Sequence, residues 1–233
     1  MSEKTELPVH EWFVSFQGEG PYAGRRCAFI RLGHCNLHCP PCDSKPTWDT
    51  SQYNLAETCP PAEISVIRRA IGSRKVSLIV VTGGEPLMWQ AKPAFERFFS
   101  TPKMTTHLET NGTIIPLLKV MEGISHFTVS PKLSAMGGAD PTRRRIKPQA
   151  IAVFRELAEQ GKACFKFVVS SEKDIEEVRL FVLNHDLDKE SIWIMPEGTT
   201  AEVLLERQRE LAPIALRRGY NFSTRLHILN RQR

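Results

Sequence analysis

Short apolar runs alternate along the chain with longer stretches whose apolar positions recur every three or four residues. The runs Cys27–Leu32, Val76–Val81, Thr106–Glu109, His126–Ser130, Cys164–Val169 and Ile192–Met195 are bounded by Gly, Pro or polar residues. Buried parallel strands read this way, being covered on both faces. Between them, Pro61–Ser73 sets Ile64, Ile67 and Ile71 on one side, and Pro61 suits a first helical turn. Gln149–Gln160 carries Ile151, Phe154, Leu157 and Ala158 and stops at Gly161. Glu172–Asn184 follows Ser171, an N-cap residue. A last helix is expected after Thr199, with Glu202 completing a capping box and Pro213 kinking or ending it. Strands and helices alternating at this pace predict an α/β fold with a parallel sheet, whose chemistry gathers at the carboxyl ends of the strands.

Four turn-like segments fall at such ends: Thr82-Gly83-Gly84-Glu85-Pro86, Glu109-Thr110-Asn111-Gly112, Ser130-Pro131-Lys132 and Met195-Pro196-Glu197-Gly198. Each alone is loop punctuation. Four on one edge predict a pocket rim. The sharpest signal follows the first predicted strand: Cys35-Asn36-Leu37-His38-Cys39-Pro40-Pro41-Cys42 spaces three cysteines C-x3-C-x2-C. Three thiolates in one tight loop suit an iron–sulfur cluster or zinc. A closed structural zinc site needs a fourth ligand, which His34 or His38 would supply. Cys27 and Cys164 sit in apolar strands as core thiols, and Cys59 stands alone.

Composition narrows the setting. The 233 residues are 41% hydrophobic and 24% charged, which supports a packed core in one domain. No apolar run is long enough to span a membrane, and the polar start Met1–Glu6 carries no signal-peptide core, so a cytoplasmic location with reduced thiols is expected. The net charge of +5 includes Arg143, Arg144 and Arg145, read as a solvated basic loop. No aromatics interleave with basic residues, so no direct nucleic-acid contact is expected.

The cysteine loop, Gly83-Gly84-Glu85-Pro86 and Ser130-Pro131-Lys132, in that order, resemble the radical S-adenosylmethionine (SAM) superfamily. With Phe16-Gln17-Gly18-Glu19-Gly20, Phe29-Ile30-Arg31-Leu32, Cys42-Asp43-Ser44 and Trp48, the chain is similar to the 7-carboxy-7-deazaguanine synthases. The match is specific from about residue 16 to 132 and looser beyond, where it rests on Lys166, Met195–Gly198 and His227. The resemblance implies one radical SAM domain over 1–233, a partial, open (β/α) barrel with a parallel sheet. His34 stands where a glycine usually precedes the first cysteine, and Ser44 where threonine is usual.

The same resemblance implies that Cys35, Cys39 and Cys42 hold a 4Fe-4S cluster whose open iron binds SAM. Pro41, Cys42, Asp43, Gly84, Glu85, Ser130, Pro131 and Lys132 would line the SAM site. Phe16, Gln17, Gly18, Glu19, Arg31, Thr82 and His227 would bind 6-carboxy-5,6,7,8-tetrahydropterin, with the Arg31 fork on its carboxylate. Ser44 would bind Mg²⁺, with the adjacent Asp43 pointing elsewhere. A flavodoxin-like reductant and a homodimer are also implied. The rival readings are another radical SAM enzyme, such as a glycyl-radical-enzyme activase, and a structural zinc module.

Overall fold

Alternate side chains of a single sheet face either a helical layer or a central lumen. The computed structural model describes residues 5–100, 104–138 and 140–232. Its strands are β1 (Glu6–Phe16), β2 (Arg26–Leu32), β3 (Pro61–Glu63), β4 (Leu78–Gly83), β5 (Thr105–Thr110), β6 (His126–Val129), β7 (Ala163–Val169), β8 (Ile192–Pro196) and β9 (Asn221–Phe222). They form one nine-stranded sheet in the order β3-β1-β2-β4-β5-β6-β7-β8-β9. From β2 to β9 every pairing is parallel, while β1 runs antiparallel to β2 and β3. The sheet ends at β3 and β9 without closing, the open α/β arrangement expected.

Its outer positions, among them Ile30, Val81, Leu108, Phe127, Phe165, Phe167 and Ile194, pack in one apolar cluster. The covering helices are α1 (Ile64–Ser73), α2 (Pro148–Glu159), α3 (Glu172–Asn184) and α4 (Ala201–Arg218). The alternate positions face inward: Arg31 on β2, Thr82 on β4, Glu109 on β5, Thr128 on β6 and Lys166 on β7. Arg31 pairs in register with Thr82, and Glu109 with Thr128, so the ring of inward polar groups is set by strand register.

Several expectations need correction. Pro61–Glu63 is not the first helical turn but an edge strand, Pro8 opposite Pro61; α1 starts at Ile64. Proline, lacking an N–H, is tolerated at such an edge. The strand expected at Val76–Val81 runs Leu78–Gly83. β1 escaped notice because an irregularity between Val9 and Glu11 breaks its alternation. α4 is capped by Thr200, whose hydroxyl accepts from the Val203 amide at 3.3 Å, so Thr199 and Glu202 form no capping box. Nor does Pro213 end α4. It lies on the exposed face, where the carbonyl deprived of its donor meets water, while Leu211 and Ala215 stay buried. Ser171 does cap α3, in a box closed by Asp174.

Candidate active site

The loop after β2 is held by backbone from three directions. His34 adopts φ 70°, a left-handed turn that glycine takes without strain, and its ring packs edge-on against Trp89 at 5.4 Å. The left-handed turn before the first cysteine is therefore formed with histidine in place. The His34 amide donates to Thr47 O, and His34 O accepts from the Glu85 amide at 2.8 Å. Gly84 lies so close that a Cβ there would sit 1.9 Å from His34 O, so Gly84 is required for the strand-end turn to abut the cysteine loop.

Cys35, Cys39 and Cys42 all open onto one cavity at the carboxyl ends of the strands. Burial pushes the Cys35 thiol up to about 12 and also raises Cys39. Donors already face the sulfurs: the Leu37 amide reaches Cys35 Sγ at 3.5 Å, and the Ser44 amide and Trp48 indole reach Cys42 Sγ at 3.4 and 3.3 Å. This donor set fits a thiolate-bound cluster. Among the described residues, no three Cys, His, Asp or Glu side chains converge as a single metal ion requires. A cubane takes each thiolate on a different iron and makes no such demand. The histidines are engaged elsewhere, His34 on Trp89 and His38 on Asp140.

The same cavity takes Phe16, Gln17, Gly18, Glu19, Arg31, Pro41, Asp43, Ser44, Thr82, Gly84, Ser130, Lys132 and His227 in its wall. Arg31 Nε donates to Glu11 Oε1 at 3.1 Å and its Nη1 to Ser44 Oγ at 3.3 Å. Asp43 does not point away from Ser44, since the segment is turned rather than extended: the Ser44 hydroxyl donates to Asp43 Oδ1 at 3.1 Å. Of the expected wall, Glu85 and Pro131 are missing. The Glu85 carboxylate is fully buried beneath the rim and accepts from the amides of Leu87 and Asn111 and the Thr110 hydroxyl. Burial lifts its pKa to about 7 against those three donors. Glu85 thus ties the cysteine loop to the end of β5.

Five residues given no role, or only a place in a motif, complete the site. Glu109 accepts from Thr82 Oγ1 at 2.9 Å and from Gln17 Nε2 at 3.1 Å. Lys166 pairs with Glu19, whose other oxygen accepts from Arg225 Nε at 3.2 Å. Arg225 also pairs with Asp43 and donates to Gly198 O at 2.9 Å. Burial opposes ionisation of Glu19, but Lys166 and Arg225 outweigh it and hold the carboxyl far below the usual range. Asp140 accepts from the His38 amide at 2.5 Å and pairs with Arg144, which also donates to Asn36 O. Arg145 is buried and donates to Asp140 O at 2.8 Å and to Lys132 O. The arginine run, read as a solvated loop, is a short helical turn: Arg143 and Arg144 are exposed as expected, but Arg144 reaches back to Asn36 O in the cysteine loop and Arg145 is buried. Trp48 is the fifth. Lys166 had a visible signal, a single charge between Phe165 and Phe167 in an apolar strand. Arg225 and Asp140 had none.

Three cysteines at the lip of the lumen of an open α/β sheet are the arrangement that the radical SAM resemblance implies. Residues 16–121 match the family model described as a 4Fe-4S single cluster domain. The chain is 34% identical to the 7-carboxy-7-deazaguanine synthase of Pyrobaculum aerophilum over 98% of its own length and 96% of that protein's. It is 34% identical to that of Hyperthermus butylicus over 97% and 93%. The crystal structure of QueE from Escherichia coli shares the fold, with TM-score 0.68 and 24% identity over 95% of both chains. The chain belongs to the 7-carboxy-7-deazaguanine synthase family. Among the described residues, no helix is long and apolar enough to cross a membrane.

Proposed function

We propose that this enzyme converts 6-carboxy-5,6,7,8-tetrahydropterin to 7-carboxy-7-deazaguanine, by hydrogen abstraction from the carboxylate-bearing carbon, ring contraction and loss of ammonia. The observation that carries the reading is the single cavity joining the three thiols to Arg31, Ser44, Glu109 and Gln17. When bound and reduced, the cluster supplies the electron that splits SAM to a 5′-deoxyadenosyl radical.

Cys35, Cys39 and Cys42 hold the cluster. Gly83 and Gly84 give SAM a close backbone surface, Ser130 and Lys132 its far side, and Pro41, Cys42 and Asp43 an edge. Arg31 receives the substrate carboxylate; its planar guanidinium, which donates to Ser44 Oγ from Nη1, suits a planar anion. Ser44, with Asp43 at 3.1 Å, offers the hard oxygens Mg²⁺ prefers. Phe16, Gln17, Gly18 and Thr82 face the pterin, with Gln17 and Thr82 oriented by Glu109. Glu19, with its ion pairs, and His227 close the mouth, limiting water near a reactive radical. A flavodoxin-like donor supplies the electron, and a second copy covers apolar area such as exposed Leu180 and Leu183 on α3. The cytoplasm supplies the reducing setting the thiols need.

Anaerobic incubation with SAM, a low-potential reductant and the carboxytetrahydropterin, followed by mass spectrometry, tests the reading. The expected product is the carboxydeazaguanine; 5′-deoxyadenosine without it would point to another substrate. Ser44→Ala should keep SAM binding and flatten the Mg²⁺ response of turnover. A Mg²⁺ titration matching wild type would remove Ser44 from the metal site.

A further inference from the structure

The cysteine sulfurs are unequally supplied with donors. Cys42 Sγ receives two N–H groups, the Ser44 amide at 3.4 Å and the Trp48 indole at 3.3 Å. Cys35 Sγ receives the Leu37 amide at 3.5 Å and, at a longer reach, the Asn111 side-chain amide at 3.9 Å. Backbone amides facing sulfur come with any tight cysteine loop. The indole does not: it is a side chain six residues on, and several contacts hold it in place.

Trp48 closes the 3-10 turn Lys45–Thr47, its backbone amide donating to Lys45 O at 3.0 Å. That turn is anchored by Thr47, fully buried, whose hydroxyl donates to Ser44 O at 2.7 Å and whose carbonyl accepts from His34. The His38 ring meets the indole edge-on at 5.5 Å, and Asp140 holds His38 by its amide and ring. The indole is thus fixed from both sides of the loop, with Nε1–H aimed at the sulfur.

We propose that Trp48 tunes the cluster's electron affinity through this N–H to Cys42 sulfur bond. One-electron reduction by an external low-potential donor adds negative charge that is shared by the ligand sulfurs. An N–H dipole pointed at one of them stabilises the reduced state more than the oxidised state and raises the reduction potential. Trp48 acts through Cys42 and is a positioning residue, not a catalytic one. The proposal rests on the cluster assignment to Cys35, Cys39 and Cys42.

The test is an EPR-monitored redox titration of iron-loaded protein without SAM. It compares wild type, Trp48→Phe and protein made with 5-fluorotryptophan, whose indole N–H is a stronger donor in nearly the same shape. Trp48→Phe should lower the midpoint potential, a roughly two- to tenfold loss in the equilibrium constant for reduction. The fluorinated protein should move the opposite way. In D₂O, pulsed ENDOR should show an exchangeable deuteron near the wild-type cluster that Trp48→Phe lacks. An iron-loaded Trp48→Phe with the wild-type potential would overturn the proposal. If Trp48→Phe fails to hold a cluster, the fluorinated protein decides, and an unchanged potential there overturns it equally. Wild type that takes up no iron or sulfide would instead overturn the cluster assignment beneath it.

Discussion

At its two ends the lumen buries titratable side chains in opposite ways. At the carboxyl end, Glu19, Lys166 and Arg225 keep their charges because each has an opposite partner, Arg225 pairing also with the exposed Asp43. At the amino end, His107 and His126 face each other at 5.5 Å with the Tyr22 ring against both. Among the described residues, neither His126 nitrogen has a hydrogen-bond partner. Burial, joined at His107 by His126 and Arg25, lowers both histidines to about 4, so both stay neutral. Cys27 and Cys164 lie on the same inward face, their thiols pushed to about 12 by burial. The difference teaches that this interior tolerates charge only where it is paired, and that the pairing is concentrated at the functional end.

The sharpest break in the comparison sets thiol against thiol. Cys39→Ala should abolish cluster binding and 5′-deoxyadenosine formation, while Cys164→Ala should leave both in place; iron analysis and product assay read the two. Next, Glu19→Gln leaves Lys166 buried without its anion and Arg225 with Asp43 alone. A loss of about 3–5 kcal/mol in denaturant unfolding is expected, as for a broken buried pair. A loss below 1 kcal/mol would mean the network is solvated.

Arg31→Lys keeps the charge but loses the fork. Pterin affinity should fall roughly ten- to a hundredfold, the range of a charged hydrogen bond, with SAM affinity nearly unchanged. Equal losses for both ligands would reassign Arg31 to its Glu11 bond.

The smallest effect concerns pH. A histidine whose folded pKa is depressed contributes stability that is present above its unfolded value and lost on acidification. The fall should begin near pH 6.5 and continue to about 4. Glu19, also depressed, adds its own loss only below the ordinary carboxylate range. His126→Leu should therefore remove part of the fall between pH 6.5 and 4 and change neutral-pH stability by no more than about 1 kcal/mol. An unchanged profile would show that His126 is not the buried neutral group described.

What the sequence disclosed was local. The cysteine loop, the strand-end turns and the cap at Ser171 are written within a few consecutive residues, and each recurs in the structure. Three strands were hidden, β1 by its irregularity, β3 by a proline that reads as a helix start, and β9 by its two-residue length. The ion pairs of Arg225 were hidden by distance, since Glu19 lies 206 residues away and Asp43 182. No spacing rule reaches that far. The role of Asp140 was likewise set by the return of a later segment over the cysteine loop.

Segments far apart in the sequence, residues 18–20 and 223–227, meet at the mouth of the lumen. The Leu226 amide donates to Gly18 O at 2.9 Å, the Ser223 hydroxyl accepts from the Gly20 amide at 2.7 Å, and the His227 ring presses on Gly18 so closely that a Cβ there would clash. Synthesis is vectorial, so the cysteine loop emerges about two hundred residues before the segment that roofs it. Until that later segment emerges and docks, the thiols sit in an unroofed basin. Maturation with iron and sulfide thus has a wide entrance during translation and a narrow one afterwards, and a prematurely terminated product would leave its thiols exposed to oxidants.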